Sequence, residues 1–371
     1  MSNRAALIAV TTAFLVGILA ALALRPASHG AGGEEGDSSR QIRWRLPVAF
    51  ATNLPALGDN AVYVSEQIEA VSAGGFRLEI FEPGKLVPPF SIVDAVKNGK
   101  VPAGYTWLGY DQGKLPASAL FGAVPFGPEP WAYTAWWYEG GGRALAEEIY
   151  HPLGLHPILC GLIGPETAGW FREPLRSVDD LSGLKIRFAG LGGKAVQRLG
   201  ASVTMLPGGE IFQALERGAI DATEFSLPVV DSRLGFDRVA PFNYFPGWHQ
   251  PFTASHMVVG LETWTRLGPR RQAQLETACT AGVTRNLARA EALQPPVIAR
   301  YEARGVTLEI LEPEILAALA QASEEVLAEE AAGDADFARV LSSQRSFQRD
   351  YARWRNIAYP RAHEEPDDAH R

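Results

Sequence analysis

The sequence contains little cysteine: Cys160 and Cys279 are its two cysteines in 371 residues. Two cysteines are too few for a cysteine metal cluster or for the disulfide framework of a small secreted domain. Cys160 lies within the apolar run 156–163, which predicts a buried and chemically inert thiol. Low cysteine content is compatible with an oxidising compartment but does not require one.

The sequence also lacks an excess of positive charge. Lys and Arg total 34 against 42 Asp and Glu, which gives a formal net charge of −8. This acidic balance, without a long basic run, argues against nucleic acids and anionic membrane surfaces as the main partners. An anionic ligand would therefore need a local cationic group that binds it against the overall field.

Several catalytic motifs are absent from the sequence. There is no His-Glu-x-x-His pair, no Gly-x-Ser-x-Gly elbow and no Gly-x-x-x-x-Gly-Lys-Ser/Thr loop. Nucleophilic hydrolysis and ATP use therefore have no support. His249 and His256 lie seven residues apart across a predicted turn and strand, and we assign them structural roles rather than metal binding.

The N-terminal segment is the longest apolar stretch. Arg4 is followed by 20 uncharged residues at 5–24, and a helix of that length would span roughly 30 Å. The basic start and the Ala-x-Ala-like site at 21–23 predict an export signal within residues 1–25, with an uncleaved anchor or a buried core helix as alternatives. Residues 26–40 are small and polar and are predicted to be a linker. We therefore expect the remaining chain to lie outside the cytoplasm.

The full sequence, with 47% hydrophobic and 20% charged residues, is typical of a globular protein of about two domains. Its strands and helices alternate, which predicts an α/β fold with a largely parallel sheet in the first part. The first series has strands at 43–50 and 76–81 and helices at 59–72 and 91–98. The second series, at 166–248, has strands at 184–188, 202–206 and 220–224 and helices at 194–199 and 209–217. A strand at 253–260 and helices at 268–293, 312–330 and 336–356 follow.

One glycine-rich turn resembles a nucleotide-binding motif. Gly190, Gly192 and Ala195 fit the relaxed pattern Gly-x-Gly-x-x-Gly/Ala, and Glu210 follows where a ribose-binding acid would be sought. This keeps an exported NAD-dependent oxidoreductase as an alternative. The preceding strand carries two basic residues, however, and Glu210 begins a helix instead of ending a strand. A plain glycine turn and a loop that lines an anion site are the other interpretations.

Four polar residues indicate an anion site. Arg187 lies near the carboxyl end of a strand, and its planar guanidinium matches a carboxylate with two parallel hydrogen bonds. Glu224 also follows a strand, while Glu166 and Gln250 lie in the segments that enter and leave the second series. Ligands of α/β sheets bind beyond the carboxyl ends of strands and between domains. We expect Arg187 to bind a ligand carboxylate and the acids to hold a metal ion.

The stretch 184–224 resembles the solute-binding subunit of TRAP transporters, above all in Gly-Gly-Glu-Ile at 208–211, Ala-Leu-Glu-Arg-Gly at 214–218 and Ile-Asp-Ala at 220–222. The resemblance runs from about residue 43 to about 359. The turn Pro-Gly-Trp-His at 246–249 is similar to the branch that binds α-keto acids and related 2-oxo or 2-hydroxy monocarboxylates.

The resemblance implies a two-lobed periplasmic solute-binding fold with an interlobe cleft, crossover segments and long C-terminal helices. It divides the chain into lobe I at 41–165, lobe II at 166–248, a return to lobe I at 249–300 and a C-terminal helical region at 301–371. The protein would be a periplasmic receptor, not an enzyme, that delivers an organic acid to membrane permease subunits. It could also form a homodimer through the C-terminal helices.

The resemblance also implies roles for individual residues. Arg187 matches the arginine that binds the ligand carboxylate, and Tyr110 matches an aromatic residue near the ligand, although a core tyrosine is an equal alternative. The positions that surround a sodium or calcium ion in this branch correspond to Glu166, Glu224 with Phe225, and Gln250. The usual glutamine is here the acid Glu166, and the usual later acid is the amide Gln250, so the formal charge is kept.

Overall fold

The computed structural model describes residues 41–358. The predicted export signal or anchor at 1–25, the linker at 26–40 and the last residues of the chain lie outside the described residues. Within the described part, no helix is both long and apolar enough to cross a membrane.

The chain begins with a parallel strand–helix–strand unit. Strand β1 (Ile42–Pro47) pairs in parallel with β2 (Phe76–Phe81), and helix α1 (Asp59–Val71) connects them. Ala61, Val64 and Ile68 are buried on one face of α1 because they recur at helical spacing. The strand predicted at 76–81 has these bounds in the structure, and the helix predicted at 59–72 ends one residue earlier.

A three-stranded antiparallel sheet lies beside this unit. Its order is β3 (Ala103–Trp107), β10 (Thr253–Gly260) and β4 (Leu155–Ile163), and one bridge between Val48 and Tyr105 joins it to β1 and β2. The prediction of a largely parallel sheet is therefore wrong for this part. The returning strand β10 enters between two strands of the first part and runs against both.

The helices of this part pack around these strands. Four of them cover its outer face, where large aromatic side chains fill the core. They are α2 (Ile92–Lys97), α3 (Ser118–Gly122), α4 (Pro130–Glu139) and α5 (Gly142–Tyr150). Together with β1–β4 and β10 they form what we call the first lobe.

A mixed six-stranded sheet forms the second lobe. Its strand order is β11 (Thr307–Ile310), β9 (Phe242–Phe245), β5 (Gly169–Phe171), β8 (Ala222–Thr223), β6 (Lys185–Arg187) and β7 (Ser202–Thr204). Helices α6 (Gly190–Arg198), α7 (Gly208–Glu216) and α8 (Pro228–Leu234) connect its strands. Strand β11 was not predicted: it lies in the region 301–371 that we had expected to be helical, and it pairs in parallel with β9.

Helix α9 (Leu261–Ala303) carries the chain from the first lobe to the second. Gly268 interrupts it with φ 70° and ψ 164°, which explains why the helical pattern in the sequence starts only there. The pattern ended before Pro295 and Pro296, but the structure continues the helix through both prolines. Its first part packs on β4 and its last turns bury Val297 and Tyr301 in the second lobe.

Two further helices return the chain to the first lobe. Helix α10 (Pro313–Gly333) packs on α6 of the second lobe, and α11 (Ala335–Ala358) packs on α3, α4 and α5 of the first. The described chain thus passes between the lobes four times: after β4, after β9, along α9 and along α10.

The two cysteines form a disulfide between β4 and α9. The expectation of an inert free thiol at Cys160 is therefore wrong, although both cysteines are fully buried as predicted for Cys160. The pair forms because α9 lies directly on β4: a β-carbon at Gly282, one turn after Cys279, would come within 2.5 Å of the Cys160 carbonyl oxygen. A single disulfide of this kind could not be read from two cysteines 119 residues apart.

We expect the double variant Cys160→Ala/Cys279→Ala to be less stable by about 2–4 kcal/mol, because the disulfide closes a long loop in the unfolded chain. Urea unfolding followed by tryptophan fluorescence measures this. A reductant should lower the stability of the parent chain and leave the double variant unchanged. Equal unfolding midpoints for both chains would show that the disulfide contributes nothing.

His256 is a buried imidazole in the antiparallel sheet of the first lobe. It is fully inaccessible to solvent and contacts the ring of Trp137, and neither ring nitrogen has a hydrogen-bond partner among residues 41–358. Burial lowers the pKa of His256 to about 3. The folded protein therefore keeps this residue neutral at a pH where the unfolded chain would protonate it.

The folded pKa of His256 lies below the unfolded value, so its contribution to stability is complete above about pH 6.5 and is lost as the pH falls toward 3. His256→Phe should remove this loss and retain the contact with Trp137. Between pH 6.5 and 4.5 the parent should lose about 2 kcal/mol more of its free energy of unfolding than the variant. Parallel pH profiles in chemical denaturation would contradict this assignment.

Candidate functional site

A cavity of about 280 Å³ lies between the two lobes, beyond the carboxyl ends of several strands. Segments that follow β3, β4, β6 and β8 all reach it, as does the start of β10, because β10 runs antiparallel to β3 and β4. The six residues singled out in the sequence all line it. The lining consists of Phe50, Leu57, Trp107, Tyr110, Glu166, Arg187, Ala189, Glu224, Phe225, Ser226, Gln250 and Thr253.

Arg187 is the cationic group of the cavity. It ends β6, between β7 and β8, and its side chain is 1% exposed. Its Nε donates to the Leu206 carbonyl oxygen at 3.1 Å, and its Nη1 donates to the main-chain oxygen and to Oε1 of Glu224, both at 2.8 Å. The guanidinium carbon lies 5.2 Å from the centroid of the Phe225 ring, a cation–π contact that stabilises the positive charge. These contacts fix the guanidinium in one orientation.

Glu224 immediately follows β8 and is the counter-charge of Arg187. Its Oε1 accepts from Arg187 and also from the main-chain nitrogen of Ala189 at 2.5 Å. Its Oε2 is buried and has no hydrogen-bond partner among residues 41–358. Burial alone would raise the pKa of Glu224, but the Arg187 guanidinium, His249 and the Ala189 main-chain nitrogen together outweigh burial and hold that pKa below its usual range. An ionised carboxylate oxygen is therefore left without a partner in the cavity.

Glu166 approaches from the opposite side, in the crossover after β4. Its Oε2 accepts from Nε2 of Gln250 at 2.6 Å, and its Oε1 accepts from the Thr253 hydroxyl at 2.8 Å. Gln250 lies in the crossover before β10, and Thr253 is the first residue of β10. Burial raises the pKa of Glu166. The two crossovers thus hold one carboxylate in the wall of the cavity.

His249 lies between the two carboxylates and was missed by the sequence analysis, which gave it only a structural role. Its Nε2 is 3.5 Å from Oε2 of Glu166 and 3.6 Å from Oε2 of Glu224, and its side chain is 1% exposed. Burial would lower its pKa, but the two carboxylates outweigh burial and raise the pKa of His249 to about 9. The available signal was its position next to Gln250 in the interlobe turn.

The first lobe contributes an aromatic wall. The Tyr110 ring lies 5.0 Å from that of Trp107, 4.7 Å from that of Phe90 and 6.0 Å from that of Phe50. Burial raises the pKa of Tyr110 above its usual range, so its hydroxyl stays protonated. Tyr110 is therefore both a packed aromatic residue and part of the cavity lining, which combines the two interpretations that the sequence left open.

The glycine turn does not support the oxidoreductase alternative. Gly190 has φ 67°, and a β-carbon there would lie 2.9 Å from the Trp107 ring, while one at Gly192 would lie 2.6 Å from the His249 β-carbon. These glycines make room for side chains of the cavity wall, and the space next to them is already occupied. Glu210 is exposed at the start of α7. The dinucleotide-like spacing therefore arises from close packing.

The donor set fits a cation. One oxygen from each of Glu166 and Glu224 and one ring nitrogen of His249 lie within 4.8 Å of one another, and all three side chains are buried. The unpartnered Oε2 of Glu224 and both unpartnered ring nitrogens of His249 can act as ligands. Beside them, Arg187 can bind an anion. The arrangement suits a carboxylate held together with a metal ion.

Comparison with known proteins places this geometry in context. Residues 50–334 match the family described as bacterial extracellular solute-binding protein, family 7. A monocarboxylate 2-oxoacid-binding periplasmic protein of Nostoc sp. is 36% identical over 316 residues, covering 85% of this chain and 86% of the relative.

Two solved TRAP periplasmic solute-binding proteins are also similar. One from Colwellia psychrerythraea, with bound calcium and pyruvate, is 31% identical with a TM-score of 0.82, covering 86% of this chain and 98% of its own. One from Pseudoalteromonas atlantica, with bound sodium and pyruvate, is 30% identical with a TM-score of 0.82, covering 86% and 97%. Both comparisons agree with the two-lobed architecture described above.

Glu224→Gln should destabilise the metal-free protein by about 3 kcal/mol, because it leaves the buried Arg187 without its counter-charge. Urea unfolding at pH 7 in the presence of a chelator measures the effect. The control is Glu173→Gln, which alters an exposed glutamate and should change the free energy of unfolding by less than about 0.5 kcal/mol. If both variants unfolded at the same urea concentration, the ion pair would not be a determinant of stability.

Proposed function

The chain belongs to family 7 of the bacterial extracellular solute-binding proteins, and from that premise we propose that it is the solute receptor of a TRAP transporter. Its ligand would be a 2-oxo or 2-hydroxy monocarboxylate bound together with a metal ion. The relatives named for 2-oxoacids or crystallised with pyruvate support this ligand class. The exported oxidoreductase is not retained as a candidate.

The observation that carries the proposal is the buried, fixed guanidinium of Arg187 in the interlobe cavity. Its hydrogen bonds to residues 41–358 are one from Nε to Leu206 and two from Nη1 to Glu224, and none of them uses Nη2. A ligand carboxylate placed in the cavity would therefore find a charged donor already oriented toward it. Phe225 and Tyr110 would enclose the apolar part of a small acid.

The charges of the cavity explain why a cation accompanies the ligand. Arg187 and a protonated His249 balance Glu166 and Glu224, so a ligand carboxylate would add a buried negative charge that has no counter-charge of its own. When bound, a metal ion would supply the positive charge that offsets this excess. The predicted holders are Glu166, Glu224, Phe225 and Gln250, with sodium or calcium as the ion.

The remaining assignments follow from the family. The receptor would work in the periplasm and deliver its ligand to the membrane permease subunits, without catalysing a reaction. Closure of the two lobes over the ligand, with the crossovers near 166 and 248 as hinge, would be the conformational step. We also retain the homodimer through the C-terminal helices and the lobe boundaries given above as proposals.

The test is pyruvate binding by isothermal titration calorimetry. Arg187→Met should weaken the affinity at least about 100-fold, because a charged hydrogen-bonding partner of the carboxylate is lost. Removal of metal ions with a chelator should weaken it as well. Because Arg187→Met leaves Glu224 unpaired, a thermal melt must first show that the variant is folded.

Arg172→Met is the matched control, since Arg172 is exposed and lies away from the cavity lining. Its affinity for pyruvate should equal that of the parent chain. A folded Arg187→Met protein that binds pyruvate as tightly as the parent would refute the proposed role of Arg187. The absence of binding by the parent to any 2-oxo, 2-hydroxy or dicarboxylic acid, with or without sodium or calcium, would refute the receptor proposal itself.

A further inference from the structure

His249 is the buried imidazole that lies between the two carboxylates of the cavity. Both of its ring nitrogens lack hydrogen-bond partners in the described part of the chain, although the side chain is 1% exposed. Its Nε2 lies 3.5 and 3.6 Å from carboxylate oxygens of Glu166 and Glu224. These distances exceed those of normal N–H···O hydrogen bonds.

The same distances suit donors that share one ion. Two ligands of a tetrahedral ion with metal–ligand bonds of about 2.0–2.2 Å lie roughly 3.3–3.6 Å apart. The Oε2 of Glu224, which is also unpartnered, is one of the two oxygens concerned. Three donors from three different segments therefore lie within 4.8 Å of one another in the cavity wall.

Gln250 is less suited to this role than His249. Its Nε2 donates to Oε2 of Glu166 at 2.6 Å, and an ionised carboxylate requires a donor there, so the amide must present its nitrogen to Glu166. Gln250 thus orients a neighbouring ligand, as residues behind a metal ligand commonly do. It is a positioning residue. Because position 250 carries an amide where the family usually has an acid, we do not assign Gln250 as a metal ligand.

We propose that His249, in place of Gln250, is the third side-chain ligand of the cation beside Glu166 and Glu224, and that the site prefers a divalent first-row transition ion to sodium or calcium. The inference rests on the proposed function, because it concerns the ion that accompanies the carboxylate. An imidazole nitrogen favours transition ions, whereas calcium takes oxygen ligands.

The charge of the cavity agrees with a divalent ion. Two carboxylates and one ligand carboxylate stand against the single charge of Arg187, which leaves an excess of two negative charges for the ion to offset. With a neutral His249 as ligand, a divalent ion brings the buried group to zero net charge, whereas sodium leaves it negative. Buried charge without compensation is costly, so the divalent ion is favoured.

The experiment uses Mn²⁺ as the probe on the full-length chain in mild detergent, which accommodates its apolar residues 5–24. Electron spin-echo spectroscopy of the Mn²⁺-loaded protein should show nitrogen modulation from a coordinated imidazole. His249→Gln should abolish that modulation and weaken Mn²⁺ binding by at least about 10-fold, since even outer-shell changes cost 10–100-fold. Its affinity for Ca²⁺ should change less than about threefold.

Two controls separate His249 from other sources of nitrogen. Gln250→Met should keep the nitrogen modulation, since we assign Gln250 a positioning role. The His151→Gln variant removes a histidine that does not line the cavity and should also keep it. The parent protein alone answers the central question, so the test does not depend on the folding of His249→Gln.

Mn²⁺ bound without nitrogen modulation, or selection of calcium or sodium over Mn²⁺ at equal concentration, would overturn the proposal. Pyruvate titrations with each ion distinguish this failure from failure of the proposed function. Pyruvate binding that is supported by calcium and by sodium but not improved by Mn²⁺ would refute the inference about His249 and leave the receptor function intact.

Discussion

The structure of the site depends on one buried ion pair, between Arg187 and Glu224. Both side chains are 1% exposed, and their 2.8 Å contact is supplemented by main-chain groups at Leu206 and Ala189. Pairing keeps Glu224 ionised in a place where burial favours the neutral acid. Because one oxygen of Glu224 serves Arg187, the other is available to a cation. The pair thereby joins the proposed anion-binding group to the proposed cation-binding group through one carboxylate.

The topology explains why these residues meet although they are distant in sequence. Arg187 and Glu224 follow neighbouring parallel strands of the second lobe, so they emerge at the same edge of the sheet. Glu166 and His249 lie in the two crossovers, whose backbones are joined where the Glu166 nitrogen donates to the Gln250 carbonyl oxygen at 3.2 Å. Close contact between the turn at 190–193 and the crossover needs glycine at position 192, where a β-carbon would clash with His249.

Sequence reasoning could predict the parts of this arrangement that depend on local pattern. The positions of Arg187 and Glu224 at strand ends followed from short apolar runs and turns, and Glu166 and Gln250 followed from their place in the segments that enter and leave the second series. The family resemblance added Phe225 and Tyr110. His249 could not be predicted, since its significance comes from the distance to two carboxylates on other segments. The same reason applies to the disulfide, to the pairing of β11 and to the antiparallel insertion of β10, all of which are long-range contacts. The dinucleotide-like spacing of Gly190 and Gly192 suggested an oxidoreductase wrongly, because glycine is also required where side chains pack closely against the backbone.

Helix α9 links the lobes at a fixed length, since a continuous helix transmits displacement without stretching. Its first part is tied to β4 by the disulfide, and its last turns are embedded beneath Trp170, whose ring contacts Tyr301 at 5.0 Å. Between these anchors stand Pro295 and Pro296, which each remove a main-chain hydrogen bond from the helix. Bending compliance is therefore concentrated at one point of the helix, which holds none of the cavity-lining residues. The stiffness of that point can then alter solute affinity without a change in any residue that lines the cavity.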